Sequence, residues 1–138
     1  MLSARNKITG VVKEIKAGAV NGIVKVETAA GGCMTATISM EAVRELGISA
    51  GKTVTAVVKA TDVLMATDFI KISARNQFKG IVSSIENGVV NAVVKLDVAA
   101  GIGFTSTISM EAVQELGLAV GKEAVAVIKA TNVMISVN

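Results

Sequence analysis

The chain has 138 residues, a hydrophobic share of 51% and a formal net charge of +3, which suits an anionic partner but also an ordinary solvated surface. It has no histidine, one cysteine and no evident cluster of carboxylates, so neither a catalytic nucleophile–base pair nor a bound metal cation is expected. Its longest uncharged stretches have 13 residues and its start lacks an apolar signal core, so we expect a cytoplasmic protein that does not contact the membrane.

An internal repeat organises the sequence. A shift of 70 residues aligns residues 1–68 with residues 71–138, and 34 of the 68 aligned pairs are identical. Two copies predict two domains, residues 1–69 and 70–138, because a solenoid would need at least three repeats. No cluster of glycine, proline or serine marks the boundary, so we expect the two domains to pack rigidly against each other. A barrel of about 70 residues cannot bury this much apolar surface alone, which favours further contacts between domains and subunits.

The elements read in the same order in both copies. The first copy predicts a hairpin turn at Ala17-Gly18 and a helix from Ser39 to Leu46. The second copy predicts strands over Phe78–Ile85, Val89–Val98 and Phe104–Ile108, a turn at Asn87-Gly88, a helix between Ser109 and Gly117, and one long strand over Ala124–Val137. Several short strands and one small helix in about 68 residues predict an all-β fold of two tandem OB-like β-barrel domains, each with one short α-helix.

Three kinds of polar residue recur in both copies at unusual places. A lysine, Lys59 or Lys129, interrupts an apolar strand. An arginine, Arg5 or Arg75, follows a Ser-Ala pair and precedes an asparagine at the entry of each domain. A serine precedes each helix. Together they offer cations and hydrogen-bond donors with almost no acceptors, which is the chemistry of an oxyanion site. Each has an ordinary alternative: a lysine that reaches to water, a solvated arginine, a simple helix cap.

The motifs that carry these residues resemble a known family. The segments S-A-R-N-Q-x-x-G, G-V-V-N-A, I-S-M-E-A-V-x-E-L-G and V-I-K-A-T-N-V-M-I resemble the molbindin (Mop/TOBE-type) domain. The resemblance covers essentially the whole chain twice, and two fused copies resemble the tandem, di-Mop cytoplasmic molybdate-binding proteins of that family. It implies a homotrimer that binds and stores molybdate or tungstate for intracellular molybdenum homeostasis, with no organic cofactor, no bare metal cation and no catalysis.

The resemblance also implies which residues bind the oxyanion. One domain would supply the Ser-Ala-Arg segment, and the neighbouring domain would supply the helix-start serine and the lysine segment. The implied set is Ser3, Ala4, Arg5, Asn6, Ser39, Lys59, Ala60 and Thr61 in the first copy and Ser73, Ala74, Arg75, Asn76, Ser109, Lys129, Ala130 and Thr131 in the second. A second kind of site is expected on the trimer axis near Val20, Asn21, Val90 and Asn91.

Two other functions fit parts of the sequence. An OB-like barrel with a basic balance suits a nucleic-acid-binding protein, but such proteins stack bases on aromatic side chains, and this chain is 2% aromatic without tryptophan or tyrosine. An enzyme would need a catalytic pairing that recurs in both copies, and none does. Within the storage hypothesis the copies differ at one charged position: Asp62 in the first copy corresponds to Asn132 in the second, so the first-copy site is expected to bind an anion less well.

Overall fold

The computed structural model describes residues 6–29, 32–99 and 101–137. Ten strands and two short helices make up the fold: β1 Asn6–Ala17, β2 Asn21–Thr28, β3 Cys33–Ser39, α1 Met40–Glu45, β4 Thr53–Val58, β5 Leu64–Ala66, β6 Asn76–Asn87, β7 Asn91–Ala99, β8 Ile102–Ser109, α2 Met110–Leu116, β9 Glu123–Ile128 and β10 Met134–Ser136. Short 3-10 turns at Ala60–Asp62 and Ala130–Asn132 separate β4 from β5 and β9 from β10. The prediction of an all-β, OB-like fold with one short α-helix in each copy is confirmed.

The strands form two five-stranded antiparallel sheets, each curled into a half-barrel. Alternate side chains along β1 are buried and exposed, as expected for a strand with one face on a core. Both long first strands carry a β-bulge, between Val12 and Glu14 in β1 and between Val82 and Ser84 in β6. A bulge bends its strand and increases the local twist, which helps each sheet to curl around its core.

The two copies exchange their last strands. The first sheet has the order β10-β4-β1-β2-β3 and the second has the order β5-β9-β6-β7-β8. Met134 of β10 pairs with Val57 of β4, and Leu64 of β5 pairs with Val127 of β9. Each sheet therefore contains four strands of its own copy and one strand of the other. The boundary between residues 69 and 70 divides the repeat in the sequence, and it remains a prediction for domains.

The exchange corrects the prediction of one long strand over Ala124–Val137. After Ile128 the chain leaves β9, makes a 3-10 turn and enters β10, which belongs to the other sheet. The break was not predicted, because residues 124–137 are rich in apolar and β-branched residues and no glycine or proline marks it. The Lys-Ala-Thr segment therefore lies in a turn between two sheets, and Lys59 and Lys129 follow a strand without interrupting one.

The predicted positions of the hairpin turns were also wrong: each turn lies two residues later in the chain than predicted. The backbone N–H of Gly88 donates to the carbonyl of Asn91 at 2.9 Å, which leaves Val89 and Val90 as the two residues at the tip. Gly88 is required at the base of the turn, because a Cβ atom there would lie 2.5 Å from the Asn91 carbonyl oxygen. In the first copy, Gly18 makes the same bond to Asn21.

One hydrophobic core runs through both copies. Met34, Val58 and Val63 of the first copy and Phe104 and Ile128 of the second belong to the same buried cluster. The Phe78 and Phe104 rings stack within it, with centroids 4.9 Å apart. The expectation of tightly packed copies is thus confirmed within the chain, and their relative position is fixed by shared core packing as well as by the exchanged strands.

Candidate functional site

The second Ser-Ala-Arg segment leads directly into β6. Ser73 and Arg75 are exposed, Ala74 is buried, and the segment has no regular secondary structure. The equivalent segment of the first copy, Ser3, Ala4 and Arg5, lies outside the described residues.

The Lys-Ala-Thr segments open the two 3-10 turns. Lys129 precedes Ala130–Asn132 with an extended backbone, and its side chain makes no capping hydrogen bond. Lys129 and Thr131 are exposed, whereas Ala130 is buried. Lys59, Ala60 and Thr61 have the same arrangement in the first copy. The alanine thus anchors each turn while the lysine and threonine on either side reach solvent.

Strand register brings Arg75 and Lys129 to the same end of the second sheet. Asn76 of β6 pairs with Ile128 of β9 in an antiparallel ladder. Arg75 precedes Asn76 and Lys129 follows Ile128, so both residues leave the ladder on the same side. Within the described parts of the chain, neither cation lies within ion-pair distance of a carboxylate. Two exposed positive charges thus lie at one end of the second sheet, where β6 begins and β9 ends, without acidic partners among the described residues.

The linker between the copies is pinned to the start of β6. The side-chain amide of Gln77 donates to the carbonyl of Ile70 at 2.7 Å and accepts from its N–H at 3.0 Å. Lys79 Nζ lies 3.1 Å from Oδ1 of Asp68 and 5.5 Å from the ring centroid of Phe69. The N–H of Phe69 and the ammonium of Lys79 hold the pKa of Asp68 below its ordinary value, and the same bond raises the pKa of Lys79. These contacts confine the segment that carries Arg75, and sequence reasoning had missed Gln77 and Lys79.

Asn6 and Asn76 are buried and bonded to the opposite copy. Oδ1 of Asn76 accepts from the N–H of Thr35 at 2.7 Å, and its Nδ2 donates to the Thr35 carbonyl at 2.8 Å. Asn6 makes the same two bonds to Thr105, with the same distances. Each asparagine is 3% exposed. The amides that were expected beside the anion therefore join the two copies.

The helix-start serines lie in a different place from the lysine segments. Ser39 Oγ accepts from the N–H of Ala42 at 3.0 Å, and Ser109 caps α2 in the same way. Ser39 pairs across the ladder with Asn21, and Ser109 pairs with Asn91. Thr35 of β3 bonds Asn76, whose ladder partner Ile128 precedes Lys129. Ser39 is four residues along β3 from Thr35, so about 13 Å of strand separates the serine from this end of the second sheet.

Each serine thus groups with the predicted second kind of site. The N–H of Met40 donates to the carbonyl of Val20, and that of Met110 donates to the carbonyl of Val90. Val20, Asn21, Val90 and Asn91 are all exposed. Within one chain, Arg75 and Lys129 form one cluster, whereas Asn91 and Ser109 belong to another.

The first cluster can attract a small anion. Arginine and lysine donate charge-assisted hydrogen bonds, and an arginine offers five N–H donors in a fixed plane. No group of three or more histidine, cysteine, aspartate or glutamate side chains is placed to hold a metal ion among residues 6–29, 32–99 and 101–137. In those same segments, no helix has the length and apolar character needed to cross a membrane.

Comparison with known proteins places the chain in a family. The TOBE domain model matches residues 2–65 and again residues 72–135. The chain is 39% identical over 137 residues to the molybdenum transport protein ModE of Herbaspirillum seropedicae, covering 98% of this chain and 51% of that protein. It is 62% identical over 68 residues to a probable molybdenum-pterin-binding protein of Haemophilus influenzae, covering 49% of this chain and 99% of that protein. The chain thus spans about half the length of the ModE relative.

A solved structure extends the comparison over the whole chain. The cytoplasmic molybdate-binding protein ModG, solved with molybdate bound, superposes with a TM-score of 0.96 at 46% sequence identity, and the match covers 99% of both chains. At this identity the two structures share their fold along their full length. On the two family matches and this superposition, the chain belongs to the TOBE domain family and carries two TOBE domains in tandem.

Proposed function

We propose that this protein binds molybdate or tungstate, stores the oxyanion inside the cell and catalyses no reaction on it. The observation that carries the proposal is the full-length match to ModG, whose structure contains molybdate. The chemistry of the described residues supports it independently, since Arg75 and Lys129 lie at one strand end without acidic partners among the described residues. Such a cluster favours a small dianion over a cation or a neutral molecule.

The site would use few groups. Arg75 and Lys129 would donate charge-assisted hydrogen bonds, and Ser73, with backbone N–H groups of the Ser-Ala-Arg and Lys-Ala-Thr segments, would supply further donors. Binding at micromolar dissociation constants needs about 8 kcal/mol. Hydrogen bonds to charged groups contribute roughly 1.5–3 kcal/mol each, so two cations and a few further donors supply enough after ordering costs.

We infer that complete sites form between copies of the chain. The cationic cluster is exposed, and Ser109 with Asn91 lies elsewhere on the same chain, so a second chain is needed if these groups are to share one anion. The hairpin tips next to the serines carry exposed valines, with Val89 99% exposed and Val20 74% exposed. Apolar tips beside polar half-sites suit a subunit interface, and the proposed assembly is a homotrimer.

The structure offers no comparable support for nucleic-acid binding. Single-stranded nucleic acids are held by bases stacked on accessible aromatic rings. Of the three phenylalanines in the sequence, Phe104 is 2% exposed and stacks on Phe78 inside the core. Phe69 alone is exposed, and the Lys79 ammonium lies over its ring. One ring cannot form a stacking platform.

Titration calorimetry with molybdate, tungstate and sulfate tests the proposal. We expect saturable binding of molybdate and tungstate, together with molybdenum or tungsten in the purified protein by elemental analysis. Sulfate is also a tetrahedral dianion, so its affinity measures how far cavity size discriminates. Absence of binding of all three anions at millimolar concentration would refute the proposal. Binding of an oligonucleotide in place of the anions would favour the alternative function.

A further inference from the structure

We propose that Asn76 is a positioning residue for the oxyanion site, although its side chain is not itself a ligand. This inference rests on the proposed function, since the residue that it positions is Arg75. Its side-chain oxygen and nitrogen each bond the backbone of Thr35 in the other copy, and the residue is 3% exposed. A side chain held in this way presents no free polar group to a ligand on the surface.

The amide group of asparagine matches what the edge of the first sheet needs. β3 is the outermost strand of that sheet, so its peptide groups on the outer side have no neighbouring strand. Thr35 therefore offers one unpaired N–H and one unpaired C=O, and the carboxamide supplies one acceptor and one donor. An aspartate could not donate, and an apolar side chain would leave both partly buried peptide groups without these bonds.

The position of Asn76 transmits this constraint to Arg75, which is its chain neighbour. The bonds to Thr35 thus fix the point from which Arg75 leaves the sheet. Lys129 is held separately, by the backbone of β9 and the 3-10 turn that follows it. Asn6 makes the same pair of bonds to Thr105, so the geometry arises independently in both copies. Without the amide, the residue at which Ser73–Arg75 enters β6 would lose both of its side-chain bonds to Thr35.

A double-mutant cycle in the full-length protein separates positioning from simple stabilisation. Asn76→Ala, Arg75→Ala and the double variant are titrated with sodium molybdate by calorimetry, well below their melting temperatures. We expect Asn76→Ala to weaken binding about tenfold. Because Asn76 acts through Arg75, adding Asn76→Ala to Arg75→Ala should weaken binding by less than about twofold more. If Asn76→Ala does not fold, Asn76→Ser, which keeps one hydroxyl for Thr35, is tested on the same terms.

Ser106→Ala is the matched control. Ser106 is also buried and donates a hydrogen bond across the copies, to the carbonyl of Val63. Among the described residues, it makes no hydrogen bond to Arg75 or Asn76. It should lose stability but bind molybdate within about twofold of the unmodified protein. Wild-type affinity in the Asn76 variant, or effects of Asn76→Ala and Arg75→Ala that multiply, would overturn the positioning role. A failure of the unmodified protein to bind molybdate would instead refute the proposed function, and the positioning role with it.

Discussion

Replacing Lys129 with alanine should separate binding from folding. The lysine is exposed, it makes no capping hydrogen bond, and it forms no ion pair with another described residue. Substitutions at such surface positions usually change stability by about 0.5 kcal/mol or less. For a chain of this size, that is a shift of at most about 2 °C in the melting temperature. We therefore expect Lys129→Ala to fold as the unmodified protein does.

The same substitution should cost much of the affinity. A hydrogen bond to a charged group contributes roughly 1.5–3 kcal/mol, and about 1.4 kcal/mol corresponds to a factor of ten. Losing Lys129 should therefore weaken molybdate binding about ten- to a hundredfold. Arg75→Ala should do the same, because both side chains lie at the same strand end.

Thermal melts with and without molybdate give a second measure. At a ligand concentration of about 100 times the dissociation constant, binding stabilises the unmodified protein by about 2.7 kcal/mol. At that concentration a variant that binds tenfold more weakly gains about 1.4 kcal/mol, and one that binds a hundredfold more weakly gains about 0.4 kcal/mol. Calorimetric titrations should rank the affinities of these variants in the same order as the melts. The ionic strength is kept constant in both, since salt screens exposed charges.

Glu115→Ala is the control for these charge substitutions. Glu115 is an exposed residue of α2 that was not placed in either cluster, so its loss should change neither the melting temperature nor the affinity appreciably. If Lys129→Ala and Arg75→Ala both bound molybdate as well as the unmodified protein, the anion would have to bind elsewhere. The assignment of the cationic cluster would then be wrong.

Three further outcomes are expected. Asp62→Asn should raise the molybdate affinity about two- to tenfold, and Asn132→Asp should lower it by a similar factor, because a carboxylate in the turn that follows the lysine repels a dianion. Equal affinities in calorimetry would show that this difference between the copies has no electrostatic effect. Affinity should change by less than about threefold from pH 6 to pH 8, since the sequence contains no histidine, whereas a sigmoidal loss in calorimetric titrations would reveal an unidentified ionisable group. Light scattering should find a trimer that molybdate stabilises, and a monomer with full binding capacity would contradict sites shared between chains.

The two short helices of the fold were accessible from the sequence. Ser109 at the start of α2 and Gly117 at its end were read from residue type alone, and the structure shows a serine cap and a left-handed glycine there. Val113 is buried on the face of the helix that packs against the core. Such features depend on neighbouring residues, so a single sequence contains the information needed to predict them.

The exchanged strands were not accessible in the same way. Sequence patterns show that β9 and β10 are both apolar, but they do not show which sheet each strand joins. The same limit applies to Asn76, because an amide that binds a ligand and an amide that bonds a distant strand look alike in a sequence. The grouping of Ser109 with Asn91 also required the strand register.

The exchange of strands has a consequence for how the chain reaches its native state. Met134 pairs with Val57, which is 77 positions earlier, so the first sheet gains its outer strand only after residues 134–136 have been synthesised. The first half therefore leaves the ribosome with one sheet edge unpaired, a state that invites pairing with another nascent chain. Contacts between such distant positions slow folding, because the entropy cost of closing the intervening loop comes before the contact can stabilise the chain. Once formed, neither half can unfold without removing a strand from the other, so a single cooperative transition is expected on denaturation.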